Sequence, residues 1–264
     1  YKSQVGLKWG GNVTFATDEL SGTGLAQDIN RLQKWGYPSR LITKRELLEL
    51  EPSLEISKFH LAAYTWSEGH VMTDKVIHAC MNSIVENGGK VILNSRVDSV
   101  SQDSSGASVT VEGKSYPFDI VVVAGGVNTS QLSETYDLKL PQRVSPGVVV
   151  KTNPINQILR SLSVLQIVNG TGQIDQIHVR QDAHGAVMIG TGSQEHETSD
   201  DSQKHADNLV NEAARYIPGL QDATAIRVPV GFRPMPIDEL PVIGFTSETP
   251  NIYVLLMHSG VTLA

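Results

Sequence analysis

The sequence predicts a mixed α/β fold in which a parallel-sheet part alternates along the chain with an antiparallel-sheet part. Continuous apolar runs that end in glycine, such as IVVVAGG at 120–126, are typical of parallel strands that are covered on both faces. After Pro141, short alternating segments such as QIHVRQ and AVMIGT are separated by turn residues, which indicates an antiparallel sheet. Because the two patterns alternate, we expect two interleaved, discontinuous domains.

Apolar periodicity and end signals predict four helices, which run from Leu20 to Trp35, from Thr43 to Pro52, from Thr73 to Gly88, and up to Pro218. In the second helix, Glu46 follows Thr43 by three residues, which is the pattern of a capping box. The third helix is followed at once by the apolar run KVILN, for which we predict a strand. The run at 120–123 predicts a fully buried strand, and NIYVLL predicts the last one.

Composition excludes several classes of protein. With 264 residues, 40% of them hydrophobic and 19% charged, the chain is typical of globular proteins with a large core. A net charge of -7 argues against a broad nucleic-acid surface. The sequence contains no apolar run of the length that a membrane-spanning helix needs. The single cysteine, Cys80, excludes an internal disulfide; its apolar helical position predicts a buried thiol, and a reducing, cytoplasmic compartment is expected.

Glycine pairs and histidines give no nucleotide or metal motif. The pairs Gly22–Gly24 and Gly190–Gly192 both lack the third glycine of the dinucleotide fingerprint. The eight histidines show no metal-ligand spacing, and His196 and His205 lie in a strongly polar segment. We therefore expect no metal site, and no hydrolase or nucleotide-triphosphatase motif is found.

Two strand ends are candidate ligand-binding edges. One strand reaches Ala124, Gly125 and Gly126, where the backbone can approach a ligand at the carboxyl end of a sheet. A plain turn that needs glycine explains this stretch equally well. The final strand runs into the segment 258–262, which would begin a helix and direct free N–H groups at a ligand. The alternative there is a simple capping turn with Ser259 as the N-cap.

The strand QIHVRQ carries a polar stripe. On an alternating strand, His178 and Arg180 share a face with Gln176. Such a stripe is either the solvent-exposed side of a sheet or, if that side lines a cavity, a surface that holds a polar substrate.

Arg233 has an unusually stiff and apolar setting in the stretch RVPVGFRPMPIDELPVIG. Gly231 permits unusual backbone geometry, and Pro234 stiffens the segment that follows. A guanidinium held in this way matches a carboxylate bidentately. The alternative is a structural ion pair with Asp238 or Glu239.

Taken together, five segments in register resemble the D-amino-acid oxidase-like family of FAD-dependent oxidoreductases, which includes glycine oxidase, sarcosine oxidase and related amino-acid dehydrogenases. The segments are ITKRELLELEPSL, EGHVMTDKVIHACMNSIVENGGKVILNSRVDSV, FDIVVVAGGVNTSQL, GTGSQEHE, and the pair GFRPMPIDELPVIG and MHSGVTLA. The resemblance covers nearly the whole chain, and its last two pieces are the most specific. The chain departs from the family at Val127, where an aromatic residue is common.

The resemblance implies an FAD-binding, Rossmann-like parallel-sheet domain (67–143 and 229–264) interleaved with an antiparallel-sheet substrate domain (1–66 and 144–228). It implies oxidation of the C–N bond of an amino acid or N-substituted amino acid, with hydride passing to FAD. Arg233 is implied to bind the substrate carboxylate, with His178 and His258 near the substrate. The residues implied to contact the cofactor are Val97, Ala124, Gly125, Gly126, Gly231, Ser259, Gly260, Val261 and Thr262.

Several alternatives stay open at this stage. The enzyme could be an oxidase or a dehydrogenase, and a hydroxy acid or glycerol phosphate could replace the amine. A non-catalytic relic or assembly subunit of the same fold is a further interpretation, and a partner subunit or a homo-oligomer is compatible with the resemblance. Because the family's N-terminal strand–GxGxxG–helix is absent and both ends look cut, we interpret the sequence as part of a longer protein.

Overall fold

A computed structural model describes residues 5–170, 176–191 and 199–257. The α-helices in this part of the chain are α1 (Glu19–Lys34), α2 (Lys44–Leu50), α3 (Thr73–Glu86), α4 (Thr129–Glu134) and α5 (Gln203–Ala214), with short 3₁₀ helices at Gly126–Asn128 and Pro218–Leu220. The strands are β1 (Lys8–Trp9), β2 (Asn12–Ala16), β3 (Ser39–Ile42), β4 (Leu61–Thr65), β5 (Gly69–His70), β6 (Ser99–Asp103), β7 (Gly106–Val111), β8 (Lys114–Phe118), β9 (Val121–Val123), β10 (Gln142–Gly147), β11 (Val149–Thr152), β12 (Val164–Val168), β13 (Gln176–Gln181), β14 (Val187–Thr191), β15 (Ala225–Arg227), β16 (Gly231–Pro236), β17 (Val242–Gly244) and β18 (Ile252–Leu256).

The chain divides into two compact units, each made of two separate segments. Unit 1 comprises Tyr1–Gly89 and Val148–Val230, and unit 2 comprises Lys90–Gly147 and Gly231–Ala264. The segment boundaries of the units follow residues 89, 147 and 230. The sequence predicts domain boundaries after residues 66, 143 and 228. The largest difference is at the first boundary, because α3 belongs to unit 1 here and to the other domain in the prediction.

Unit 1 is built on an eight-stranded sheet in the order β15-β11-β14-β13-β12-β2-β4-β3. Neighbouring strands are antiparallel except β2 and β12, which run parallel. The segments after Pro141 therefore form the antiparallel sheet that their alternating pattern predicts. Residues of β13 alternate between the two faces: Ile177 and Val179 are buried in the core, and the polar stripe lies opposite them.

Helices cover both faces of this sheet in part. On the core face, α5 packs against β11, β14 and β15, with Leu209 and Val210 among its buried residues. On the other face, α1 packs against β2, β3 and β4 through Leu25 and Ile29. Each Å² of apolar surface that these contacts bury contributes about 25 cal/mol of stability. Such contacts are therefore the main stabilising term of the unit.

Helix starts follow the signals in the sequence. Asp18 caps α1, and its side chain accepts a hydrogen bond of 2.9 Å from the backbone N–H of Ser21. The predicted capping box of α2 is confirmed: Glu46 N–H donates to Thr43 Oγ1 at 3.2 Å, and Thr43 N–H donates to the Glu46 carboxylate at 2.7 Å. The hydrogen bond from Thr43 N–H, followed by those from the Arg40 and Thr43 side chains, lowers the pKa of Glu46 to about 2.

The described residues of unit 2 form three smaller sheets. Strands β6, β7 and β8 form an antiparallel meander, and β10 pairs with β16 in a two-stranded ribbon. In the third sheet, in the order β17-β18-β9, strands β9 and β18 run parallel. Buried Val121, Val123 and Ile252 form its core with residues of β6 and β7.

Three local expectations are wrong. The run after α3 forms no strand within 90–98, and its apolar side chains Ile92 and Leu93 are exposed. The strand predicted at 120–123 is shorter and is packed on one face only, so that Val122 is 57% exposed. Cys80 is exposed, because α3 has no buried residue and its apolar positions contact no core.

Membrane spans and metal clusters are both absent from the part of the chain that the structure describes. No helix within 5–170, 176–191 and 199–257 combines the length and the apolar character that a membrane span requires. In the same ranges, no group of three or more His, Cys, Asp or Glu side chains is arranged to hold a metal ion.

Candidate functional site

The end of β9 is an exposed turn rich in glycine. Ala124 and Gly125 are exposed, and a short 3₁₀ helix begins at Gly126. Gly126 has φ of +59°, and apart from Gly126 and its chain neighbours no atom of the described residues lies within 4 Å of the position that a Cβ would take there. The backbone of this turn is thus open to a ligand, as the ligand-binding interpretation of the sequence requires.

The β10–β16 ribbon lies beside this turn in the same unit. Strand β16 packs against the 3₁₀ helix, and Gln142 Nε2 donates to the carbonyl oxygen of Val127 at 3.0 Å. Pro234 and Pro236 belong to β16, which pairs with β10 and with no other strand of the described chain. A two-stranded ribbon tolerates proline because a residue without an N–H can face away from the partner strand.

Arg233 is held in this ribbon opposite Ser145. Its Nη2 donates to Ser145 Oγ at 3.3 Å and also to the carbonyl oxygen of Pro146. The side chain lies over Gly147, where an added Cβ would be 3.3 Å from Nε. Nε is buried, and no acceptor for it exists among the described residues. The guanidinium is therefore fixed by ribbon atoms while part of its donor capacity stays unused.

The alternative ion pairs of Arg233 are not formed in the described part of the chain. Asp238 accepts a hydrogen bond from Leu240 N–H at 3.1 Å within its own turn. Glu239 lies 3.7 Å from Arg143. Arg233 has no carboxylate of the described residues within salt-bridge range, which leaves its charge available to a ligand.

Burial shapes the electrostatics of this arginine. Partial burial lowers the pKa of Arg233 below its ordinary value, and the positive charge of Arg143 lowers it further. Both effects disfavour the charged form when no anion is near, so a bound carboxylate would stabilise the guanidinium.

The structure describes some of the other predicted cofactor residues. Val97 is half-buried against the core of unit 2, which includes Val121 and Val123. Gly231 begins β16 opposite Gly147, and its φ is not positive. The expectation that Gly231 supplies unusual backbone geometry is therefore wrong, because it is an ordinary ribbon residue. His258, Ser259, Gly260, Val261 and Thr262 lie outside the described residues.

His178 lies in unit 1, on the polar face of the eight-stranded sheet. Its register partners are Gln166 on β12 and Gly190 on β14. A Cβ at Gly190 would lie 2.4 Å from His178 Cε1, so the imidazole fills the space above that glycine. Gly190, which the sequence analysis excluded from a nucleotide-binding motif, thus makes room for a histidine.

Unit 1 also contains a basic residue, His70, on which Lys8 and Arg180 act, and the sequence analysis did not bring these three side chains together. Burial lowers the pKa of His70, and the positive charges of Arg180 and Lys8 lower it further. His70 Nδ1 is 2.8 Å from the carbonyl oxygen of Ser163. Only the alternation of β13 pointed to Arg180, and no local pattern connects Lys8 and His70 with it because they lie far apart in sequence.

The family model for FAD dependent oxidoreductase (DAO) matches residues 1–264. The chain belongs to the FAD-dependent oxidoreductase family. A subunit of opine oxidase from Rhizobium meliloti is 26% identical over 266 residues, which cover 98% of this chain and 68% of that protein. Glycine oxidase of Geobacillus kaustophilus is 25% identical over 265 residues, which again cover 98% of this chain and 68% of that protein.

Solved structures agree with this family fold. The crystal structure of glycine oxidase from Geobacillus kaustophilus matches with a TM-score of 0.83 at 22% identity, over 97% of this chain and 68% of that chain. The mixed α/β architecture of this FAD-dependent oxidoreductase is therefore the one that the sequence predicts.

FAD is the cofactor of this family, and residues of unit 2 fit part of its site. The backbone of Ala124, Gly125 and Gly126 is open at the carboxyl end of β9, where nucleotides bind in doubly wound sheets. Behind it, Thr129 Oγ1 is buried without a hydrogen-bond partner among the described residues. A turn whose only side chain is the methyl group of Ala124, in front of an unsatisfied hydroxyl, is suited to a polar ligand.

Proposed function

We propose that the full-length protein oxidises the C–N bond of an amino acid or an N-substituted amino acid, with FAD as the hydride acceptor. The observation that carries this proposal is Arg233, a fixed and partly buried guanidinium with unused donors and without a carboxylate partner among the described residues. The names of two relatives at 25–26% identity, one a subunit of opine oxidase and the other a glycine oxidase, support a substrate of this class.

Arg233 binds and orients the substrate carboxylate in this proposal. Its planar fork can donate to both carboxylate oxygens, and the contacts with Ser145 and Pro146 limit its motion. Bound FAD would supply the hydride acceptor, so that the C–N bond of the substrate would become C=N and water would then hydrolyse the imine. Because a neutral amine needs no strong side-chain base, the chain mainly contributes position and electrostatics.

The proposed cofactor contacts rest on the family resemblance, and the open glycine turn supports them. Backbone atoms of Ala124, Gly125 and Gly126 would line the cofactor, and the backbone of Val97 would contact its adenine end. Gly231, Ser259, Gly260, Val261 and Thr262 complete this part of the proposal, with His178 and His258 near the substrate. N–H groups at 260–262 would favour the negative charge that a flavin gains on reduction.

The electron acceptor and the assembly are parts of the same proposal. In this proposal, oxygen or another acceptor would take the electrons from the reduced enzyme. A partner subunit is supported by the name of the opine oxidase relative, which describes that protein as one subunit of its enzyme. A reducing, cytoplasmic compartment is expected from the single cysteine.

The visible spectrum of the full-length gene product tests the proposal. We expect flavin absorption bands that bleach when N-methyl or N-carboxyalkyl amino acids are added without oxygen. A yellow protein that no amine bleaches would overturn the substrate class. A colourless protein would favour the alternative, a subunit that keeps the fold without catalysis.

A further inference from the structure

Strand β10 contacts both parts of the proposed site in unit 2. At its start, Gln142 Nε2 donates to the carbonyl oxygen of Val127 at 3.0 Å, in the 3₁₀ helix that continues the glycine turn. Further along the strand, Ser145 Oγ accepts a hydrogen bond from Arg233 Nη2 at 3.3 Å, and the carbonyl oxygen of Pro146 accepts from the same nitrogen. One strand therefore links the turn proposed for the cofactor with the arginine proposed for the substrate.

The 3₁₀ helix Gly126–Asn128 is held against the ribbon in two ways. It packs against β16, the strand that carries Arg233, and the amide of Gln142 joins it to β10. Packing alone restrains a short helix weakly, because a helix of three residues buries little surface. The directional hydrogen bond from Gln142 is therefore the contact that fixes its place along the ribbon.

The other end of the Gln142 amide is unsatisfied. Its Oε1 is buried, and no donor for it exists among the described residues. A buried acceptor without a donor is unfavourable, so this side chain is not the one that stability alone would select. Methionine has nearly the same size and no such oxygen. Gln142→Met would lose one hydrogen bond and also the unpaired acceptor, so we expect the stability of the protein to change little.

We propose that Gln142 is a positioning residue, which sets the distance between the cofactor at the glycine turn and the carboxylate that Arg233 binds. The inference rests on the proposed function. Hydride transfer depends steeply on how the two reacting atoms are placed, and an error of about 1 Å can cost on the order of a hundredfold in rate. Gln142, the turn and Arg233 all belong to unit 2. Gln142 touches neither reactant in this proposal and acts through the turn.

The first test measures how fast the flavin is reduced in the FAD-loaded full-length protein, mixed without oxygen with an amine that bleaches the wild type. The dependence on amine concentration separates the limiting rate from the apparent Kd. Gln142→Met should lower the limiting rate by about tenfold or more, because the reacting atoms are misaligned. The apparent Kd should change by less than about threefold, because the contacts that hold Arg233 remain.

A merely structural role of Gln142 predicts a different result. It would lower the amount of folded, FAD-loaded protein and leave the limiting rate of that fraction unchanged. Gln142→Glu is a second variant of the same shape, and an ionised carboxylate cannot donate to the carbonyl oxygen of Val127. Its limiting rate should fall at least as far as that of Gln142→Met.

Gln131→Met is the matched control. Gln131 lies on α4, which follows the same 3₁₀ helix, and it is exposed. The substitution makes the same chemical change close to the turn and removes no contact with β10. We expect this variant to have the limiting rate and the apparent Kd of the wild type.

A second test needs no turnover. Methoxyacetate has a carboxylate and no amine, and its titration into the FAD-loaded wild type should change the flavin absorption spectrum to a saturating value. Arg233→Ala should abolish this change. Gln142→Met should bind methoxyacetate with a Kd within about threefold of the wild type. Its difference spectrum should differ in shape, because the anion lies at another position relative to the flavin ring.

The outcomes distinguish this inference from the proposed function. A wild-type limiting rate or a wild-type difference spectrum in Gln142→Met would overturn the inference and leave the proposed function intact. A raised Kd with an unchanged limiting rate would also overturn it, since Gln142 would then act on substrate binding. If no amine bleaches the wild type but methoxyacetate changes its spectrum, the proposed function fails and the difference spectra decide the role of Gln142. If neither changes the spectrum, both fail.

Discussion

The imidazole of His178 lies directly against Gly190 on the neighbouring strand, so closely that a Cβ at Gly190 would be 2.4 Å from His178 Cε1. The two residues are register partners of β13 and β14. Strand pairing therefore sets the position of the histidine, and the residue opposite it must be a glycine to leave room for the ring. This pair connects the sequence pattern of an alternating strand with the position of a proposed substrate-facing residue.

Gly190→Ala should destabilise unit 1 by about 1–3 kcal/mol, because the new methyl group must displace the imidazole from a packed position. The measurement is chemical denaturation of the variant and the wild type. His178→Ala in the same chain should remove most of this cost, because the clash disappears with the ring. Gly24→Ala is the control: a Cβ there meets nothing within 4 Å, and the residue lies within α1, so stability should rise slightly. Equal effects of Gly190→Ala with and without His178 would contradict this account.

Arg233→Ala should lower kcat/KM for amine oxidation, because the substrate carboxylate loses its partner. The expected loss corresponds to about 2–5 kcal/mol of transition-state stabilisation. Steady-state kinetics of the FAD-loaded full-length protein provide the measurement. Arg31→Ala serves as a control, since Arg31 is exposed on α1 and pairs with Asp28 at 2.9 Å. This control should change kcat/KM little. Unchanged kinetics in Arg233→Ala would remove the residue from the site.

Glu51→Gln should lower the free energy of unfolding by about 3 kcal/mol, since its buried carboxylate accepts charge-assisted hydrogen bonds that an amide cannot all accept. Glu51 is fully buried, and the backbone N–H groups of Arg160, Ser161 and Leu162 each donate to it at 2.7 Å. Urea denaturation measures the loss. The exposed Glu49, two residues earlier, is the matched control, and Glu49→Gln should change stability by less than about 0.5 kcal/mol. A neutral effect of Glu51→Gln would show that the loop holds without the carboxylate.

Local signals explain what the sequence predicted well. The capping box at Thr43 and Glu46 is a contact between residues three positions apart, so the sequence contains all of it. The alternation of β13 likewise indicates which of its residues face the core. Arg233 was singled out by its proline-rich frame, although its contacts with Ser145 and Pro146 depend on a strand about 90 residues away along the chain, which no local pattern reveals.

Long-range packing explains what the sequence predicted poorly. Cys80 and the run with Ile92 and Leu93 are apolar, and apolarity predicts burial only where another layer is available. The role of Glu51 was hidden for a similar reason, because its three donors come from residues 160–162. Similarly, the positive charge around His70 comes from Lys8 and Arg180, which lie in two distant parts of unit 1.

His70 should make the stability of the protein depend on pH. Burial is the main cause that lowers its pKa below the ordinary value of 6.5, with smaller contributions of the same sign from Arg180 and Lys8. The hydrogen bond to Ser163 and the charge of Asp182 act in the opposite direction. Because the unfolded chain takes up the proton first, stability is fully present above about pH 6.5 and falls as the pH decreases toward the folded pKa.

His70→Asn should therefore reduce the loss of stability between pH 7.5 and pH 5.5, because asparagine can still donate to Ser163 but does not titrate. The measurement is the free energy of unfolding of variant and wild type at both pH values, so that other titrating groups cancel in the difference. His78→Asn is the matched control, since His78 Nδ1 is also 2.8 Å from a carbonyl oxygen but the residue is exposed on α3. An identical pH dependence in His70→Asn and the wild type would show that the burial of His70 is not coupled to folding. A steeper loss in the variant would reverse the sign of its contribution.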